Sequence, residues 1–249
     1  MTAADRARQA LFKNVDRVYV INLPWRTDRR AEMAAQLRRF GLDFEDDRVV
    51  LVEAIAPADA GPFPSPAIRG CFESHLAVLR SITESSDRAA LVLEDDADFM
   101  RHAVARFPGI AAALETRDWG MVFGWPPKPH PMRDKPGDLT LFALPPEQPL
   151  PMTHCYAITK ETAALALPYL SRMLTRSFGD PDGGPMEVDG AYGWFRAAHP
   201  EIAVLCPEVP IAMQRPSRSD IHAGAWFDRL RWTEPFARGL RRARIALFR

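Results

Sequence analysis

Cysteine is scarce in this chain of 249 residues: Cys71, Cys155 and Cys206 are odd in number and far apart. None has a second cysteine at the two-residue spacing of a structural zinc site or redox pair. That excludes a disulfide-stapled framework and points to buried thiols in a reducing compartment. An excess of either charge is also missing, since 32 Lys and Arg balance 32 Asp and Glu. The overall basicity of a nucleic-acid-binding chain and the acidity of a solvating one are both absent, so no nucleic acid is expected as a partner. No run approaches the roughly 18 to 20 apolar residues that cross a bilayer. The stretch Met1 to Phe12 alternates charges with alanines instead of offering the apolar core of a leader. The expected location is cytoplasmic. Gly-x-x-x-x-Gly-Lys-Ser/Thr, Gly-x-Gly-x-x-Gly and Gly-x-Ser-x-Gly are absent too, which argues against a P-loop, a dinucleotide fingerprint and a hydrolase elbow.

What is present is an ordinary globular composition, 47% hydrophobic and 26% charged, long enough for one α/β domain. Arg17 to Leu23 is a β-branched and aromatic run ending at Pro24, as a buried parallel strand does. Thr27 or Asp28 is placed to cap a helix with apolar positions Met33, Leu37 and Phe40. A strand at Val49 to Val52 and a Pro- and Ala-rich loop precede a helix from Ser65 to Ser85. Pro66 stands at its first turn, and Ile68, Phe72, His75, Leu76, Leu79 and Ile82 form its inward stripe. Further strands are expected at Ala89 to Leu93, Met121 to Phe123, Leu139 to Leu144, His154 to Thr159, Ile202 to Leu205 and Val209 to Met213. Helices are expected at Ala103 to Leu114, Glu161 to Leu174 and Asp189 to Ala198. The proline-rich stretch from Gly124 to Pro151 reads as a substrate-facing loop, and Thr175 to Glu187 as mobile. The alternation predicts a mostly parallel, doubly wound sheet with flanking helices in a single domain over 1–224. Ligands bind beyond the carboxyl ends of strands in such sheets.

Glu94, Asp95, Asp96 and Asp98 follow the apolar strand directly. If the chain stays extended there, Glu94, Asp96 and Asp98 share a face and Asp95 opposes them. Converging like charges repel unless a cation or protons neutralise them. Oxygen-only ligands favour magnesium or manganese over zinc. The alternative is a solvated loop with an acidic helix cap. The loop Asn22 to Arg30 leaves another strand end with Arg26, Arg29 and the amides of a helix start, a setting for phosphates. Gly70 inside a helix costs roughly 1 kcal/mol against alanine, which implies a close approach by another backbone or a ligand. Arg69, Ser74 and His75 flank it, although His75 also fits a hydrogen-bonded core position.

Ile21-Asn22-Leu23 with Arg26-Thr27-Asp28-Arg29-Arg30, Gly70-Cys71-Phe72-Glu73-Ser74-His75, and Leu93-Glu94-Asp95-Asp96 resemble, in order and spacing, the signature blocks of the family 25 glycosyltransferases. That family includes bacterial lipopolysaccharide sugar transferases and relatives of the collagen galactosyltransferases. The resemblance extends through His154 to Thr159, Asp189 and Gln214 to Ile221, and so covers roughly 16–222. Pro24-Trp25 departs from the commoner pattern and leaves nucleotide specificity open. The resemblance implies a GT-A-like fold and inverting transfer of a hexose, galactose or glucose, from a UDP-sugar. It also implies a manganese or magnesium ion at Glu94 and Asp96, with Asp98 a ligand through water or a helix cap. Asn22, Arg26, Asp28, Arg29, Arg69, Gly70, Ser74 and His75 become donor-binding candidates. Inversion requires a base opposite the leaving group, for which Asp189 is the first candidate and Glu187 the second. His222 is a further candidate for the metal shell.

The segment 225–249 carries seven arginines against two acids, interleaved with aromatic and aliphatic residues. This basic amphipathic composition suits either an anionic membrane surface, useful with a lipid-linked acceptor, or docking on the protein's own sheet. A glycan or protein acceptor is the other expectation. Two competing readings remain: a non-catalytic nucleotide-sugar binding module, and a haloacid-dehalogenase-like phosphatase using Asp96-Ala97-Asp98. Phe99 and the late position of the strand fit the phosphatase poorly.

Overall fold

A computed structural model describes residues 1–126, 141–150 and 152–215. Its first half runs α1 (Ala3–Asn14), β1 (Arg17–Asn22), α2 (Thr27–Arg39), β2 (Val49–Glu53), α3 (Pro66–Glu84), β3 (Ala89–Glu94), β4 (Ala97–Phe99) and α4 (Ala103–Glu115). Its second half runs β5 (Met121–Phe123), β6 (Leu141–Ala143), β7 (Cys155–Thr159), α5 (Lys160–Met173), α6 (Val188–Ala198), β8 (Val204–Pro207) and β9 (Ala212–Gln214).

Seven strands form one mixed sheet in the order β2-β1-β3-β7-β5-β8-β6. The pairs β1/β2, β1/β3 and β5/β8 are parallel, whereas β7 runs antiparallel to both β3 and β5, and β6 antiparallel to β8. Among the described residues five strands therefore point one way and two the other, so the expected mostly parallel sheet with flanking helices is present, with β7 and β6 as its two reversed members. The strands β4 and β9 form a separate antiparallel pair.

Alternation within strands builds two cores. Val18 and Val20 of β1 with Leu91 and Leu93 of β3 join Leu11, Met33, Leu37 and Ile110 from α1, α2 and α4 on one face. Tyr19, Ile21, Ala90 and Val92 join Phe72, Leu79, Ala163, Leu170, Tyr192 and Phe195 from α3, α5 and α6 on the other. Successive side chains leave a strand on opposite faces, so an all-apolar strand such as Ala89 to Leu93 serves both layers. The helix α1, absent from the sequence expectation, is held by a capping box between Thr2 and Asp5 and by Asn14 Nδ2 donating to Ala111 O at 3.1 Å.

Local chemistry sets the element ends near the site. Ser65 caps α3 with Pro66 behind it, as expected. Neither Thr27 nor Asp28 caps α2: the cap position is Arg26, and Asp28 lies in the first turn paired with Arg26. Gly70 is explained by the loop after β2. A Cβ there would meet the carbonyl oxygen of Ile55 far inside van der Waals contact and Pro57 Cδ at 2.9 Å. Ser74 fastens the same loop, accepting from Ile55 N at 2.8 Å and donating to Gly70 O at 2.6 Å. The segment before α6 forms turns that include Gly179 and Gly183, both at positive φ. Arg176 Nη1 donates to the carbonyl of Gly183 at 2.9 Å. Among the described residues no helix is long and apolar enough to cross a membrane. His222 and the segment 225–249 lie outside the described residues.

Candidate functional site

The parallel strands β1 and β3 end side by side, with Ile21 opposite Glu94, and the chain turns at Asp95 and Asp96 before starting β4. That turn corrects the expectation of a continuous extended segment. Asp95 is not turned away from its neighbours but buried beside them, where its Oδ1 accepts from Arg29 Nη1 at 2.8 Å and its Oδ2 from Asn22 Nδ2 at 2.8 Å. Asp98, carried onto β4, accepts from Arg215 Nη2 at 2.6 Å and Gln36 Nε2 at 3.0 Å. It lines neither cavity of the site. Asp95 and Asp98 thus each accept from an arginine, Asp96 keeps a longer contact with Arg29, and Glu94, Asp95 and Asp96 all line the larger cavity of the site.

Asp96 is 5% exposed, and its Oδ1 has no hydrogen-bond partner. Its Oδ2 accepts from Gln214 Nε2 at 3.3 Å and lies 3.4 Å from Arg29 Nη1. Burial, reinforced by the Glu94 charge and opposed by Arg29, pushes its pKa up to about 7. Glu94 is deeply placed as well, but His75 and Thr153 outweigh the effect of burial and hold it below the ordinary range. Thr153 Oγ1 donates to Glu94 Oε1 at 3.2 Å, and His75 Nε2 lies 3.4 Å away. Opposed pKa directions in neighbouring carboxyls are a common mark of functional sites.

Two adjoining cavities share Glu94, and Asp96 lines the larger of them. The larger, about 270 Å³, has an apolar wall of Leu23, Trp25, Ala54, Ile55 and Pro57 and a polar end of Arg29, Ser74, His75, Glu94, Asp95 and Asp96. The second, about 190 Å³, is lined by Thr153, His154, Glu187, Asp189 and Met152 among others. Cys71, Glu94 and Gln214 belong to both. Asp189 lies in the first turn of α6, where its Oδ1 accepts from Gly190 N at 2.7 Å. Burial, with Glu187 adding to it, raises its pKa despite the Gly190 amide. The cap position of α6 is Glu187, which makes no side-chain capping bond. Burial lowers the pKa of His154 and raises that of the Cys71 thiol, to which the surrounding carboxylates add.

Of the donor-binding candidates, Arg29, Gly70, Ser74 and His75 line the larger cavity. Asn22 supports from behind, donating to Arg26 O and Asp95 and accepting from Arg30. Arg26 pairs with Asp28, and Arg69 with Asp59 and Glu73; all three candidates lie off the cavity walls. The candidates Glu94, Asp96, Glu187 and Asp189 are brought together around the two cavities. Sequence reasoning missed Cys71, Thr153, His154 and Gln214 as lining residues. Cys71 was legible in principle, one helical turn before His75 on α3. Gln214 arrives only because β9 pairs with β4, placing Gln214 opposite Ala97. Trp25, noted earlier only as a departure from a pattern, stands 61% exposed at the mouth.

As donors for an ion, the carboxylate oxygens of Glu94 and Asp96 suit a hard divalent cation, and the orphaned Asp96 Oδ1 is one such oxygen. Arg29 already supplies part of the neutralisation. The site has room for an ion but a weaker electrostatic demand for one than four adjacent acids suggest.

No protein-family model and no curated protein matches this chain.

Proposed function

We propose that the chain is a metal-assisted, inverting glycosyltransferase that moves a hexose from a UDP-sugar to a hydroxyl of a glycan, lipid-linked saccharide or protein. In this reading the α/β fold is of the GT-A type. The observation that carries it is the meeting of two cavities at Glu94, with Asp96 on one side and Asp189 on the other. A transferase needs such a pair of chambers, one for donor and one for acceptor, opening on one reacting carbon.

The residues take complementary parts. The apolar wall with Trp25 suits a nucleobase, and the polar end with Arg29 suits its phosphates. Glu94 and Asp96 would hold the manganese or magnesium ion, which stabilises the charge developing on the leaving diphosphate. Asp189, in the second chamber and with its pKa raised by burial, accepts the proton of the attacking hydroxyl. Glu187 beside it tunes that carboxyl through its charge. Ser74 and Gly70 keep the Ile55 loop against α3 and so set the width of the donor chamber. The acceptor class proposed is a lipopolysaccharide-type saccharide met at the cytoplasmic membrane face, where the arginine-rich 225–249 segment would contribute.

The test is release of UDP from a panel of UDP-sugars with manganese, comparing wild type with Asp96→Ala. The expected result is release with one or two sugars and a loss of about 100-fold or more in the variant. No release from any donor, or equal release by the variant, rejects the reading.

A further inference from the structure

At the wall shared by the two cavities, Cys71 and Glu94 stand beside His75 of the larger one, a donor set whose sulfur and nitrogen atoms the oxygen-only ion does not use. Cys71 and His75 are four residues apart on α3 and therefore face the same way. One ligand atom from each, together with a Glu94 oxygen, lies within 4.8 Å of the others. His75 is 1% exposed in its side chain, yet its Nε2 has no hydrogen bond and lies 3.4 Å from Glu94 Oε1. Its other nitrogen is spoken for: Nδ1 is 3.0 Å from Tyr156 Oη, which is in turn 3.1 Å from Tyr192 Oη. With Nδ1–H donating into this buried chain, a cation that replaces the proton Nε2 holds toward Glu94 meets its lone pair in the space between Cys71 and Glu94. A ligating histidine is ordinarily fixed through its second nitrogen in this way. Zinc bonds of about 2.0 to 2.3 Å in a tetrahedron place donor atoms roughly 3.5 Å apart, so the cluster needs to close by only about 1 Å.

We propose that Cys71 Sγ, His75 Nε2 and a Glu94 oxygen form a binding site for a thiophilic divalent cation of the zinc class, with its fourth position open to the cavities. The sulfur and nitrogen donors set it apart from the hard-ion site at Asp96. Both sites draw on Glu94. On the transferase reading above, which this one consequence rests on, zinc displaces the hard ion and inhibits. The cation site itself requires no transferase activity.

Metal-stripped full-length protein is titrated with zinc against a chromophoric chelator, and separately with cobalt while absorbance is followed. Wild type is expected to take up one zinc per chain and to show a thiolate-to-cobalt charge-transfer band. Cys71→Ala is expected to lose the band and about tenfold or more in zinc affinity. Asp96→Ala is expected to retain both even if it abolishes manganese-dependent UDP release, which separates failure here from failure of the transferase reading. Equal zinc affinity in Cys71→Ala, no thiolate band in wild type, or joint loss of zinc and manganese in Asp96→Ala overturns the proposal. Circular dichroism of each variant, matching wild type, guards against a folding defect.

Discussion

Asp96 pays for its position in the fold with its charge. In the metal-free chain its pKa is about 7 against an ordinary 3.8, because burial and Glu94 disfavour the ionised form more than Arg29 favours it. A carboxyl raised in the folded state binds its proton more tightly there than in the unfolded chain. Its contribution to stability is thus complete below about pH 3.8 and is lost as pH rises through about 7. Asp96→Asn cannot ionise. With chelator present, its melting temperature is therefore expected to gain on wild type steadily between about pH 4 and about pH 8, and a constant or shrinking gap contradicts this. Gly70 supplies the opposite case. Alanine gains up to about 1 kcal/mol of helix propensity, but its Cβ would collide with the Ile55 carbonyl, and overpacking costs typically 1 to 3 kcal/mol. Gly70→Ala is expected to lower the urea midpoint, and a stabilised variant would show that the Ile55 loop yields. At this scale the sequence was informative about which glycine was unusual. It was silent on the pairing of Asp98, because the partner Arg215 is 117 residues away.

Elements with strong periodicity were legible: the apolar β1 and β3, and α3 with its Ser65 cap and Pro66, form where the pattern places them. The three-residue β4 was not, although the equally short β5 forms at the expected Met121 to Phe123. Ala97–Phe99 lies inside an acidic segment, and β9 leaves the main sheet to pair with it, a choice made by tertiary contacts rather than local preference. The reversal of β7 was equally unreadable, since a short apolar strand looks the same in either direction. Arg196 shows how one side chain ties elements together. Buried on α6, it donates to the carbonyls of Leu144, Pro145 and Gln148 at 2.6 to 2.9 Å and thereby fastens the segment after β6. Arg196→Leu leaves those carbonyls without their donor and is expected to cost at least about 2 kcal/mol in chemical denaturation. A change within about 0.5 kcal/mol would mean that water replaces the guanidinium.

Across the molecule, two apolar layers enclose one sheet, and their boundary opens at the ends of β1 and β3 into a pair of chambers that meet at a carboxylate. The acidic turn there has partial neutralisation from Arg29 and Arg215 and retains an unsatisfied oxygen on Asp96. The placement of Glu94 and Asp96 at a strand end was legible from an apolar run feeding into acids. The second chamber was not, because it is assembled from Thr153, His154 and α6, far apart in the chain. The central claim is that Glu94 and Asp96 hold an ion against a nucleoside diphosphate. Electron paramagnetic resonance of manganese, titrated with and without UDP, tests it most directly. The account predicts that UDP tightens manganese uptake in wild type and that Asp96→Ala abolishes this coupling while leaving the fold intact. Manganese uptake that is indifferent both to UDP and to Asp96 would contradict it.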